Sequence, residues 1–125
     1  RPLTYRAISS LVDDGLLVRA EATPGRGPDR RPVRITADGA RATTDWLDRP
    51  VDHVRDFRTE LLLKLELRRR RGWPVHDLVA AQLDRIEPAL TAMLDVADPD
   101  IVARWRREQA LATQRFLRAL LDTDH

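Results

Sequence analysis

Two short runs of alternating apolar residues near the start of the chain constrain its fold more than any other feature. Leu16, Val18 and Ala20 form the first run, and Val33 and Ile35 form the second. The segment between the runs includes ATPGRGPDRR, whose two prolines and two glycines prevent either strand from extending through it. This order predicts a two-stranded antiparallel hairpin with a long tip that carries arginines.

Helical spacing of apolar residues predicts that most of the remaining chain is helical. The predicted helices, in chain order, cover residues 4–15, 37–47, 51–71, 78–93 and 99–121. Gly15 is expected to end the first helix in the left-handed conformation, and Thr36 to cap the start of the second. An Asp98–Pro99 pair is the expected N-cap and first residue of the last helix. The predicted fold is therefore mostly α, with a small two-stranded antiparallel β-wing.

The charge of the chain is concentrated at its front. The net charge is only +2 over 125 residues, but residues 1–36 hold seven arginines against four acidic residues. No apolar run is long enough to span a bilayer, and there is no cysteine. We therefore expect a cytoplasmic protein without a membrane partner.

The order of helix, glycine stop, strand, basic loop, strand and helix is that of a winged helix from its recognition helix onward. A short helix with a polar side fits the major groove of DNA, and a basic hairpin tip suits the neighbouring phosphates. The alternative is a solvated helix and a basic loop that bind nothing. The predicted DNA-binding residues are Arg1, Thr4, Tyr5, Arg6, Ser9, Ser10, Arg26, Arg30, Arg31 and Arg34.

Three segments of the sequence, YRAISSLVDDGLL, GPDRRPVRITADGARATTDWL and PVDHVRDFRTELLLKLEL, resemble the PadR family of bacterial winged helix-turn-helix transcriptional regulators. The spacing of Tyr5, Ile8, Leu11 and Gly15 carries the resemblance, together with the turn from Thr36 into the next helix. The resemblance implies a dimeric repressor that binds operator DNA and is released by small aromatic or cationic effectors. Family members have further helices before the recognition helix, so we expect these residues to be a fragment that binds DNA weakly by itself.

Two regions are expected: a partial winged-helix domain over residues 1–47 and a helical dimerisation or effector region over residues 48–125. Three long helices with apolar stripes cannot bury all of those stripes within so small a monomer, which favours a homodimer. The predicted interface residues are Val102, Trp105, Ala112, Phe116 and Leu120. The alternative is that these residues belong to an ordinary core within one chain.

Trp105 and Trp73 are the predicted ligand-binding residues, and two Trp105 rings that met across a dimer axis could stack on a flat hydrophobic compound. Buried tryptophans that fill helix junctions are the alternative. The run of four arginines at 68–71 is interpreted as a solvated helix end, where cations suit the helix dipole. Its alternatives are contact with phosphate and ion pairing within a dimer.

No catalytic or metal-binding pattern is present in the sequence. His53 lies between Asp52 and Asp56, but this group is interpreted as a charged helix start because no second pair of ligands accompanies it. We expect no enzymatic activity, no metal and no cofactor. The alternative to a DNA-binding regulator is a helical module for protein interaction or small-molecule sensing that is not competent to bind DNA.

Overall fold

A computed structural model of the chain describes residues 2–20 and 32–123. The described residues are mostly helical, with one two-stranded antiparallel sheet. The chain divides into two compact units, Arg1–Trp46 and Leu47–His125, which are called the first and the second unit below.

The first unit contains the predicted helix and hairpin strands. Helix α1 covers Pro2–Asp13, strand β1 covers Leu17–Arg19, strand β2 covers Val33–Ile35, and helix α2 begins at Ala37 and ends at Asp48. Gly15 has a φ of +77°, which confirms that the glycine ends α1 in the left-handed conformation. Leu17 pairs with Ile35, Val18 with Arg34 and Arg19 with Val33.

Thr36 joins the start of α2 to the end of α1. Its hydroxyl oxygen accepts a hydrogen bond from the Gly39 amide at 3.0 Å, which confirms the predicted N-cap, and it donates to the Gly15 carbonyl at 2.7 Å. A Cβ atom at Gly39 would overlap the Leu16 carbonyl oxygen. The first turn of α2 therefore lies directly against the chain that enters β1, and only glycine fits there.

The second unit departs from the predicted single helix over residues 51–71. A 3₁₀ turn over Val54–Asp56 leads into a π-helical turn over Phe57–Leu61, and helix α3 covers Leu62–Arg70. Val51 is outside any helix because the side chain of Gln82 bonds both its amide, at 2.7 Å, and its carbonyl, at 2.8 Å.

Helices α4 (His76–Leu94) and α5 (Ile101–Leu121) complete the second unit and pack along each other. The predicted cap of α5 was wrong by two residues. Asp98 has a φ of +50° and lies before the helix, whereas the Asp100 carboxylate accepts a hydrogen bond from the Ala103 amide at 2.8 Å. The core of this unit consists of Val51, Phe57, Leu61, Leu65, Leu78, Val79, Ile86, Leu90, Ala110 and Leu117.

Candidate functional site

Three of the predicted DNA-binding residues share one side of α1. Arg6, Ser9 and Ser10 lie at spacings of three and four residues, which places them on one side of a helix. The side chains of Arg6 and Ser10 are exposed. Ser9 is half-buried, and its hydroxyl accepts a hydrogen bond at 3.0 Å from Arg19 of the neighbouring strand. The polar side of α1 is thus connected to the base of the hairpin.

Thr4 is separated from that polar side. It precedes Ile8 by four residues and Leu11 by seven, so it lies on the apolar side of α1. Tyr5 is exposed at the start of the helix, as is Leu3. The structure therefore groups Arg6 with Ser9 and Ser10 but does not bring Thr4 to them.

Within the described part of the hairpin, a second arginine accompanies Arg19, whose side chain bonds Ser9 of α1. Arg34 is exposed and pairs with Val18, and the alternation of side chains along a strand directs it to the sheet face opposite Arg19. The other predicted contacts, Arg1, Arg26, Arg30 and Arg31, lie outside the described residues.

One largely apolar face of α5 is exposed to solvent in the monomer. Val102, Trp105, Gln109, Ala112 and Phe116 follow one another at spacings of three, four, three and four residues. Val102 is 56% exposed, Trp105 is 65% exposed and Phe116 is 39% exposed. This spacing is the heptad spacing of a helix-pairing seam. These five residues are called the α5 seam below.

The predicted interface residue Leu120 lies at the edge of the α5 seam. It is half-buried and packs against the core of its own chain. Ala110 and Leu117, each of which directly follows a seam residue, lie on the adjacent side of α5 and are buried against the same core. Gln109, which the sequence analysis did not select, belongs to the seam because it completes the heptad spacing.

The two predicted ligand residues line different clefts of the second unit. The first, the Trp73 cleft, has a volume of about 500 Å³, and its lining includes Leu65, Glu66, Arg69, Trp73, Val75 and Phe116. The second, the Trp105 cleft, has a volume of about 830 Å³, and its lining includes Phe57, Arg58, Ile86, Met93, Trp105 and Phe116. Trp73 and Trp105 do not share a site within one chain.

Three buried polar side chains hold the segment that leaves α2. Lys64, which is 2% exposed, donates to the Arg49 carbonyl at 2.5 Å, and Gln82 bonds both backbone groups of Val51. Arg68 donates to the Leu47 carbonyl at 3.1 Å, to the Asp48 carboxylate at 2.9 Å and to the Pro74 carbonyl at 2.9 Å. Burial is the main cause that lowers the pKa of Lys64.

The arginine run at 68–71 is divided between two environments. Arg69, Arg70 and Arg71 are exposed, as the interpretation of a solvated helix end predicts, but Arg68 is buried. Arg69 bonds both carboxylate oxygens of Glu66, at 2.7 and 2.9 Å, and Arg70 bonds one of them at 3.2 Å. These hydrogen bonds lower the pKa of Glu66 to about 2.

Within residues 2–20 and 32–123, the structure contains no group of three or more acidic or histidine side chains that could hold a metal ion. None of the helices in the same described ranges combines the length and the apolar character that a membrane span requires. Comparison of the chain with protein-family models, with curated proteins and with solved structures finds no match.

Proposed function

We propose that this chain belongs to a winged-helix transcriptional regulator in which α1 is the recognition helix and the β1–β2 hairpin is the base of the wing. The observation that carries the proposal is the exposed polar side of α1 beside a paired hairpin, with Arg19 bonded to Ser9. The PadR resemblance agrees with this order of elements. It also supplies the repressor role, and both that role and the cytoplasmic location expected from the sequence are part of the proposal.

The dimensions and charge of the first unit suit duplex DNA. Twelve residues of α1 extend for about 18 Å, and a helix of this kind fits a major groove about 12 Å wide. Arg6 supplies a guanidinium group for a guanine edge or a phosphate, and the hydroxyl of Ser10 supplies a short hydrogen-bonding group. The excess of arginine over acid in residues 1–36 attracts the phosphate backbone from a distance.

We further propose that the regulator is a homodimer that pairs through the α5 seam. A second copy of the chain is the favoured partner for two reasons. The seam has the residue spacing of a coiled coil, and each copy carries an identical seam that can pair with the other. Exposed aromatic side chains such as Trp105 and Phe116 are typical of the centre of a protein interface. Two copies would present two recognition helices to a palindromic operator.

The test of DNA binding is a fluorescence-anisotropy titration of the chain against a labelled pool of random duplexes at several salt concentrations. We expect dissociation constants of about 1 to 100 µM that rise with salt, the range of non-specific binding. Arg6→Ala and Arg34→Ala are each expected to lower the slope of log affinity against log salt by about one.

Arg118→Ala is the matched control, since Arg118 is an exposed arginine of α5 in the second unit. This variant is expected to keep the salt slope of the unmodified chain. Absence of binding at about 20 mM salt, where electrostatic screening is weak, would refute the proposal. An equal effect of Arg6→Ala and Arg118→Ala would refute the assignment of α1 as the reading element.

A helical interaction or sensing module is the second candidate function. The exposed α5 seam and the two clefts of the second unit favour it, because none of these features requires DNA. Self-association of a chain that binds no duplex at any salt concentration would favour this candidate over the regulator.

A further inference from the structure

The Trp105 cleft reaches from the surface of the second unit to its core. Phe57 and Ile86 line the cleft and are buried, whereas Trp105 and Phe116 line it and are exposed. The lining brings together the 3₁₀ and π-helical turns, α4 and α5. The volume of about 830 Å³ lies within the range of sites that bind small organic molecules, and these walls suit the apolar body of such a ligand.

The lining of this cleft carries an excess of positive charge. Apart from His53, its titratable side chains are three arginines and one aspartate, namely Arg55, Arg58, Arg106 and Asp52. The Asp52 carboxylate lies 2.5 Å from a guanidinium nitrogen of Arg85, which is outside the lining, so the one acidic group is already paired. None of the three lining arginines forms an ion pair with another residue in the described ranges.

The three arginines lie at the opening of the cleft, since all of them are exposed. Arg55 and Arg58 are three residues apart in the 3₁₀ and π-helical turns, and Arg106 directly follows Trp105 on α5. The cleft is therefore apolar where it meets the core and basic where it meets solvent. A ligand carboxylate would accept charge-assisted hydrogen bonds from these guanidinium groups, whereas a cationic head group would be repelled.

The same cleft contains most of the α5 seam. Trp105, Gln109, Ala112 and Phe116 belong to the seam and also line the cleft. A ligand in the cleft and a second copy on the seam would thus cover the same side chains. A ligand that binds the monomer better than the dimer shifts the equilibrium toward the monomer.

We propose that the Trp105 cleft is a binding site for an amphipathic monocarboxylate, and that this ligand competes with homodimerisation. The hydrocarbon body lies on Phe57, Trp105 and Phe116. The carboxylate is bonded by Arg55 and Arg58. The charge of the cleft favours an anion over the cationic effectors that the PadR resemblance implies. The competition rests on the homodimer proposed above, whereas the ligand site itself requires neither a dimer nor DNA.

The test of the site is isothermal titration calorimetry of the full 125-residue chain with decanoate, below the concentration at which decanoate forms micelles. Decyltrimethylammonium, which has a hydrocarbon chain of similar length and the opposite charge, is the matched ligand. We expect saturable binding of one decanoate per chain and an affinity for the cation that is at least about tenfold weaker. The double variant Arg55→Gln/Arg58→Gln is expected to weaken decanoate binding about tenfold.

Arg115→Gln/Arg118→Gln is the control variant. It removes two exposed arginines at the same spacing of three residues, and neither of them belongs to the lining of the cleft. We expect it to leave the decanoate affinity within about twofold, and circular dichroism checks that each variant retains its helices. The ligand site is overturned if decanoate shows no saturable heat, if the cation binds as tightly, if Arg55→Gln/Arg58→Gln binds normally, or if the control variant loses as much affinity.

Sedimentation equilibrium tests the competition. Saturating decanoate is expected to raise the dimer dissociation constant at least about tenfold, and the same concentration of the cation to change it by less than about twofold. A dissociation constant that decanoate leaves unchanged, or that the cation raises equally, would overturn the competition. A chain that is monomeric without decanoate would refute the homodimer and the competition that rests on it, whereas the calorimetry still decides the ligand site.

Discussion

Replacement of Gln82 by leucine removes both hydrogen bonds that hold the start of the second unit. Gln82 is fully buried, and its amide bonds the Val51 amide at 2.7 Å and the Val51 carbonyl at 2.8 Å. Leucine keeps an apolar body of similar size but can form neither bond. Since Val51 is itself buried, both of its backbone groups would be left without a partner.

Each buried backbone group without a partner costs about 1–3 kcal/mol, so we expect the loss of both partners in Gln82→Leu to lower the free energy of unfolding by about 2–6 kcal/mol. That is a large part of the stability of a small domain, which is about 5–15 kcal/mol. Urea denaturation followed by far-ultraviolet circular dichroism measures the change.

Gln109→Leu makes the same chemical change at an exposed position of α5 and is the control, with both variants unfolded at a protein concentration that keeps the chain monomeric because Gln109 belongs to the α5 seam. We expect no loss of stability from this substitution. A loss of less than about 0.5 kcal/mol for Gln82→Leu, which is the size of an ordinary surface substitution, would refute the role assigned to Gln82.

Two further predictions concern the second unit. Trp105→Ala should weaken homodimerisation by about thirtyfold, or about 2 kcal/mol, because it removes a large aromatic side chain from the α5 seam. Sedimentation equilibrium measures the dimer dissociation constant, with Glu108→Ala as the exposed control. An unmodified chain that stays monomeric at about 100 µM would contradict the prediction. The second concerns Glu66, whose carboxyl carbon should titrate by NMR near pH 2, because the folded pKa is depressed to about 2 by Arg69 and Arg70. The stabilising ion pairs are therefore present above the ordinary pKa of glutamate and are lost as the pH falls through the folded value. Arg69→Gln should raise the titration midpoint toward the ordinary value, and an unchanged midpoint would contradict the assigned cause.

The elements of the first unit were predictable because their signals are local. Gly15 and Thr36 act on residues within a few positions of themselves, and the alternation of Val33 and Ile35 is visible in the sequence alone. The polar side of α1 also follows from helical spacing. Thr4 was grouped with that side although it precedes Ile8 by four residues, so a stricter use of the spacing would have separated it.

The errors in the second unit arise from contacts between residues that are distant in sequence. Val51 is kept out of the predicted helix by Gln82, which lies 31 residues later. Arg68 is the first of four identical residues, and nothing in the run distinguishes it from its neighbours. Its burial depends on carbonyl groups of Leu47 and Pro74 that only the folded chain brings to it.

The α5 seam was predictable only in part. Helical spacing identified Val102, Trp105, Ala112 and Phe116, and the structure leaves these side chains exposed. Leu120 fits the same stripe in the sequence but packs against the core of its own chain. The difference depends on which side of α5 faces α4, and a periodic pattern with apolar residues on two sides of a helix does not specify this.

The most direct measurement of DNA recognition is a map of backbone amide chemical shifts while the labelled chain is titrated with a duplex selected from the random pool. We predict that the changes concentrate at Arg6, Ser9 and Ser10 of α1 and at the strands β1 and β2. Changes confined to Ile101–Leu121 or to the arginine run at 68–71, with α1 unaffected, would contradict the account.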